Sequence, residues 1–114
     1  IDKKWRDQME TVVTFPMYLG WRMQTVTVKT LSYEGIIYYF IENNFYFCGD
    51  SPYYDMWVDI EKFSYFSKAV LEMLSYLDFE PDIIHCHDWQ SSLVPVFLKA
   101  FYCADPFYRN IKTV

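Results

Sequence analysis

The sequence predicts an α/β fold, with a parallel sheet flanked by helices in its second half and an antiparallel β-hairpin in its first. Three observations carry this. Residues 24–31 alternate, with Val26 and Val28 set among Thr25, Thr27 and Lys29, and a second β-rich run, 36–41, follows a turn. Residues 59–77 hold apolar side chains three and four apart, the spacing of one helix face. From residue 59 onward, helix, strand, helix and strand signals alternate, as in a parallel sheet covered by helices. The 114 residues fit one domain or part of one, and 11 Tyr and 10 Phe set the chain apart from disordered sequences.

Residues 3–9 are expected to close a helix, with Trp5 and Met9 on one face. Residues 11–19, rich in Val, Thr, Phe and Tyr, read as β structure. The hairpin pairs 24–31 with 36–41 around Ser32-Tyr33-Glu34-Gly35, where Gly35 can take a positive φ. Glu42-Asn43-Asn44 breaks the strand, residues 44–47 form a short helical turn, and Cys48-Gly49-Asp50-Ser51-Pro52 is loop chemistry. The main helix is expected over 59–77, capped by Asp59. Its stripe is Phe63, Phe66, Val70, Met73, Leu74 and Leu77, with Lys62, Lys68 and Glu72 mostly on the other side. Pro81 bars its continuation. Residues 82–86 read as a buried parallel strand. A further helix spans 89–103, with Trp89, Leu93, Val96, Phe97 and Ala100 on one face. Pro95 is tolerated if that helix begins near Ser91, where backbone N–H groups have no partner. Asp105-Pro106 is a turn, and residues 111–114 enter a strand.

A net charge of −5 with scattered basic residues lacks the footprint of a nucleic-acid binder. Apolar runs fall short of the roughly 20 residues that span a bilayer, so no membrane partner is expected. No signal-peptide pattern opens the chain. Both ends read as cut, beginning at Ile1 and closing on what looks like the start of a strand. Cys48, Cys86 and Cys103 are odd in number and fit no zinc or CxxC spacing, which predicts free thiols of a cytoplasmic protein, buried as small hydrophobes.

In parallel sheets ligands bind beyond the carboxyl ends of strands. Here that end is His85-Cys86-His87-Asp88-Trp89. Three readings stand. His85 and His87, two apart and so on one side of a strand, could be metal ligands, though two more would be needed. The histidines could simply bond backbone, with Asp88 capping the next helix through the N–H two or three residues on. Asp88 could instead present a carboxylate to a cleft, to stabilise a cationic transition state or hold sugar hydroxyls.

Pro81-Asp82-Ile83-Ile84-His85-Cys86-His87-Asp88-Trp89-Gln90, followed by Leu93-Val94-Pro95-Val96, resembles a signature of bacterial glycogen synthases and plant starch synthases. Arg6-Asp7-Gln8-Met9, Leu19-Gly20-Trp21-Arg22, Tyr38-Tyr39-Phe40-Ile41, Phe63-Ser64-Tyr65-Phe66, Ala69-Val70-Leu71-Glu72 and Asp105-Pro106-Phe107-Tyr108 are similar to family segments in family order. The resemblance covers essentially the whole chain. It implies that residues 1–114 are an internal fragment of the N-terminal, Rossmann-like half of a B-type glycosyltransferase fold, with the C-terminal nucleotide-binding domain absent. It implies transfer of glucose from ADP-glucose to the non-reducing end of an α-1,4-glucan, with retention and with neither metal nor other cofactor. The partners implied are the glucan acceptor and the nucleotide-sugar donor.

By the same resemblance Asp88 is the active-site aspartate. His87, Trp89 and Gln90 border the substrate. The family also uses Asn at the His87 position, so no proton chemistry is assigned there, and Trp89 and Gln90 are expected to pack or orient the loop. Tyr46 stands where the family has an aromatic near the sugar; the alternative is an ordinary packed tyrosine. A Lys-x-Gly-Gly-Leu loop is expected before Ile1 and a Thr-x-His-Asn segment after Val114, so the fragment by itself should be inactive. Tyr38-Tyr39-Phe40 and Phe45-Tyr46-Phe47 could form a glucan platform, but aromatics in a sheet favour packing. A non-catalytic module that binds carbohydrate or protein is the rival class.

Overall fold

A computed structural model describes residues 1–114 as two compact units, Ile1–Cys48 and Gly49–Val114. In the first, a single helical turn α1 (Lys3–Arg6) precedes strands β1 (Glu10–Leu19), β2 (Arg22–Tyr33) and β3 (Ile36–Glu42). The helix expected over 3–9 stops at Arg6, with no side-chain cap at Asp2. The strands form one antiparallel sheet in the order β1-β2-β3. The predicted hairpin is therefore one half of a meander, because the 11–19 segment pairs with β2 as well.

Both connections are two-residue turns. Glu34 (φ 50°) and Gly35 (φ 80°) both lie at positive φ, the type I′ pattern whose twist suits a hairpin. At the other turn Gly20 (φ 58°) alone does so, the II′ pattern. β1 carries a bulge between Thr11 and Val13. It is also an edge strand, which is why Pro16, lacking an N–H, is accommodated there. Phe15, Met17, Val26 and Val28 are buried, and Phe15 faces Val26 across the ladder. Asn43 then builds the turn expected after β3. Its Oδ1 accepts from the N–H groups of Phe45 and Tyr46 at 2.9 Å each, and its Nδ2 donates to the Thr25 carbonyl at 2.9 Å.

The second unit holds α2 (Met56–Tyr76), β4 (Ile83–Ile84), a 3₁₀ turn (Trp89–Ser91), α3 (Leu93–Phe97), a π-helical segment (Leu98–Tyr102) and β5 (Lys112–Thr113). The cap of α2 is Asp55, not Asp59. Asp55 Oδ1 accepts from Trp57 N at 3.0 Å and Val58 N at 3.1 Å, so the helix starts earlier than the spacing of apolar residues suggests. Asp59 is buried inside the helix and paired with Lys62. Lys62, expected on the solvent side, is also buried. The buried face is Tyr65, Ser67, Ala69, Leu71, Met73 and Leu74. Phe63, Phe66, Val70 and Leu77 of the expected stripe are only half-buried.

What ends α2 is a Schellman motif rather than Pro81. Asp78 adopts φ 51°, Phe79 N donates to Leu74 O at 3.0 Å, and Asp78 N to Ser75 O at 3.3 Å. β4 and β5 are parallel, with Ile83 opposite Lys112 and Ile84 opposite Thr113. Backbone bonds extend the ladder from Asp82 O to Cys86 N, the strand limits expected.

The helix expected over 89–103 is broken into three. Pro95 falls in the first turn of α3, where its missing N–H is tolerated, and the 3₁₀ and π segments on either side shift the phase of the exposed face. Val94 and Leu98 are consequently the buried residues, whereas Trp89 and Val96 are exposed. With Leu71, Leu74, Tyr108 and Ile111 they form the core of this unit. None of the three cysteines forms a disulfide. Cys48 and Cys103 are exposed and Cys86 half-buried, so the expectation of buried small hydrophobes fails for loop and helix-end positions. No helix is long and apolar enough to cross a membrane.

Candidate active site at the end of a parallel strand

The chain leaves β4 extended, so His85 and His87 point to the same side and Cys86 to the other. The two imidazoles stack, centroids 4.4 Å apart, and both are exposed. Cys86 packs against the core, and burial pushes its thiol pKa up, which keeps it protonated and unreactive near neutral pH. No third His, Cys, Asp or Glu joins the histidines in a metal-binding group.

Asp88 makes the turn into the next helical segment. Its backbone lies at φ 61°, ψ −179°, a region in which essentially only glycine is unstrained, at a cost of about 1–3 kcal/mol. Hydrogen bonds with Trp89 and Ser91 hold it there. Asp88 Oδ1 accepts from Trp89 N at 2.7 Å, its carbonyl accepts from Ser91 N at 3.3 Å, and Ser91 Oγ donates to His87 O at 2.7 Å. The carboxylate thus bonds the very next N–H, not one two or three residues on. One oxygen is committed to the backbone, Oδ2 makes no hydrogen bond, and the side chain is exposed. A strained turn that presents a carboxylate beyond a parallel strand is a concentration of cost typical of functional positions.

Trp89 and Gln90 turn toward α2 and the loop before it. The Trp89 ring stacks on Tyr53 (6.1 Å) and meets Phe63 edge-on (4.8 Å). Gln90 Nε2 donates to Tyr53 Oη at 2.6 Å, and the Gln90 carbonyl accepts from Ser67 Oγ at 3.5 Å. Beside them is a cavity of about 240 Å³ lined by Ile60, Phe63, Ser64, Trp89, Gln90 and Leu93. Sequence reasoning did not single out Tyr53. The loop signal of Ser51-Pro52 marks its position, but nothing in a linear pattern links it to Trp89 and Gln90.

Tyr46 belongs to the other unit. It is only 6% exposed, with its ring against Phe45 (4.9 Å) and Phe47 (6.5 Å), the surroundings of a packed tyrosine. Phe45, Phe47 and Tyr38 are exposed, but Tyr38 and Phe40 close with Trp5 and Tyr33 over a small apolar pocket instead of forming a flat platform.

A parallel strand pair joined through helical segments, with its polar residues gathered beyond one strand's carboxyl end, is the arrangement in which Rossmann-like α/β sheets receive ligands. The particular family follows from comparison: the chain belongs to the starch synthase catalytic domain family, whose description matches residues 1–114. It is 54% identical over 114 residues to a glycogen synthase of Lachnoclostridium phytofermentans and 50% identical over 115 to one of Desulfitobacterium hafniense. In each case all of this chain is covered and 24% of the relative, so the chain spans about a quarter of their length. The catalytic domain of starch synthase IV from Arabidopsis thaliana, solved bound to ADP and acarbose, superimposes with a TM-score of 0.81 at 28% identity, over 92% of this chain and 22% of that one. The mixed α/β architecture is thus that of a glycosyltransferase catalytic domain.

Proposed function

We propose that the protein carrying this chain is a cytoplasmic glycogen synthase, a retaining glucosyltransferase that moves glucose from ADP-glucose to the non-reducing end of an α-1,4-glucan. The observation that carries the reading is Asp88, a carboxylate held on strained backbone beyond a parallel strand, in a chain half-identical to glycogen synthases over its whole length. The ADP and acarbose in the Arabidopsis relative support a nucleotide-sugar donor and a glucan acceptor here. The rival reading, a non-catalytic binding module, has no comparable support.

As the nucleoside diphosphate departs, the anomeric carbon of the donor glucose gains positive charge. The Asp88 carboxylate, with one oxygen fixed by Trp89 N, favours that state electrostatically or through bonds to sugar hydroxyls. His87 borders the substrate without a proton-transfer role, Trp89 and Gln90 orient the turn, and Tyr46 stays with packing. The chemistry calls for no metal or other cofactor. Stabilisation of the leaving diphosphate falls to basic groups outside these residues.

The test is glucosyl transfer to a glycogen primer by the full-length protein, with ADP-glucose and UDP-glucose compared. Transfer from ADP-glucose is expected. Asp88→Asn should lower turnover by about 10²–10³ with little change in donor affinity. Near-normal turnover would remove Asp88 from the mechanism, and no transfer from either donor by folded protein would overturn the assignment.

A further inference from the structure

Lys62 is an anomaly for which the reaction has no direct use. It lies on α2 with its side chain only 3% exposed, although lysine is almost never fully buried without a partner. Its Nζ sits 2.9 Å from Asp59 Oδ1 and donates to the Pro52 carbonyl. It also lies 5.2 Å from the centre of the Tyr54 ring and 5.0 Å from that of Phe63. Asp59 in turn accepts from Tyr54 N at 3.2 Å. One buried ion pair therefore ties down backbone groups on both sides of Tyr53.

The loop is constrained at its other contacts as well. Ser51 Oγ donates to Tyr53 O at 2.7 Å and accepts from Tyr53 N at 3.2 Å. Tyr54 closes so tightly on Gly49 that a Cβ there would lie 1.8 Å from the Tyr54 hydroxyl. What this loop delivers is Tyr53, whose hydroxyl takes the Gln90 amide and whose ring stacks on Trp89. Trp89 N is the donor that fixes Asp88 Oδ1. The contacts run without a gap from the buried ammonium to the strained carboxylate. A buried ion pair is a poor source of stability, since apolar residues of similar volume often do as well. Its geometric effect is different: it sets where Tyr53 stands.

We propose that the Lys62–Asp59 pair is a positioning clamp for the Asp88 turn, acting through the Pro52–Tyr54 loop on Trp89 and Gln90. This rests on the reading of Asp88 as the active-site carboxylate. A displacement of about 1 Å at a reacting group can lower turnover by roughly 10²-fold, so loosening the clamp should be read in kcat.

The experiment uses the full-length protein, with Lys62→Gln, Lys62→Arg, Asp88→Asn and the double variant Lys62→Gln/Asp88→Asn. The measurements are kcat, KM for ADP-glucose and Tm, with kinetics taken well below each Tm. Lys62→Gln is expected to lower kcat by roughly 10–100-fold while KM changes little. Lys62→Arg, which keeps a cation able to reach Pro52 O and Asp59, should restore most of it. In the Asp88→Asn background, Lys62→Gln should add little further loss, because both act on one group. Wild-type kcat in folded Lys62→Gln overturns the proposal. So does an arginine variant as impaired as the glutamine one, or a loss that multiplies fully with that of Asp88→Asn. Should Lys62→Gln fail to fold, Ser51→Ala on the exposed loop takes its place; it is expected to lower kcat several-fold at unchanged Tm, and an unchanged kcat overturns the clamp. Near-normal turnover of Asp88→Asn overturns this proposal by removing Asp88 from the mechanism, whereas the assignment itself falls only if the folded wild type transfers glucose from neither donor.

Discussion

Asp88 combines two demands that pull against each other, since its backbone angles suit glycine while its carboxylate suits a cationic sugar. Substitution separates them. Asp88→Gly releases the backbone and Asp88→Ala does not, so the glycine variant of the full-length protein should be the more stable by about 1 kcal/mol, measured as a urea midpoint. Both should lose turnover. Equal stability would mean that the surrounding bonds relax the turn around alanine. Asp88 was legible in the sequence because a strand-like run, a polar cluster and a helical signal follow one another there. Its positive φ was not legible, since dihedral strain leaves no trace in residue order. Lys62 shows the same limit. Its spacing sets it opposite the apolar stripe, and only the closing of Pro52 and Tyr54 over it and Asp59 makes it buried.

The ends of α2 show how neighbouring candidates compete at the level of an element. Asp55 and Asp59 are equally good caps by type, and the choice between them falls to tertiary structure, which engages Asp59 with Lys62 and Tyr54 N. At the other end the left-handed position of the Schellman motif is filled by Asp78, where glycine is the usual occupant. Asp78→Gly should therefore raise stability by roughly 0.5–1 kcal/mol, read from the same urea titration, without altering turnover. A loss of stability would show that the Asp78 side chain contributes more than its backbone costs. The hairpin around Glu34-Gly35 was readable because its turn chemistry is local. The three-way break of the 89–103 segment was not, because 3₁₀ and π runs of three and five residues are too short to show a period of their own.

For the molecule as a whole, the alternating order of helices and strands carried the α/β class, and an ordered series of segments carried the family. The pairing of β1 with β2, which turns the hairpin into a meander, was hidden because β1 shows no sequence feature that names its partner. The core of the parallel unit also sets a pH limit. Burial raises the pKa of Tyr102 first of all, and the hydrogen bond to Glu72 Oε1 at 2.6 Å and the charge of Glu72 add to it. Burial likewise raises that of Tyr108, whose hydroxyl donates to Leu71 O at 3.0 Å. The folded state therefore holds these protons where an unfolded tyrosine, with a pKa near 10, releases them. Their contribution is complete below about pH 10 and is lost as pH rises beyond it toward the folded-state values. The urea midpoint should fall above about pH 10, less steeply in Tyr102→Phe, and equal slopes would contradict this assignment. A last consequence lies in the order of synthesis. The meander is complete, through two tight turns, once Glu42 has been made, but β4 gains β5 beside it only when Lys112 and Thr113 follow. At translation rates of roughly 5–20 residues per second, that wait is on the order of seconds, far longer than the microseconds a hairpin needs to close. A nascent chain will therefore carry a finished meander ahead of a β4 that still lacks β5, and during that interval the edge that β5 later covers is open to wrong partners.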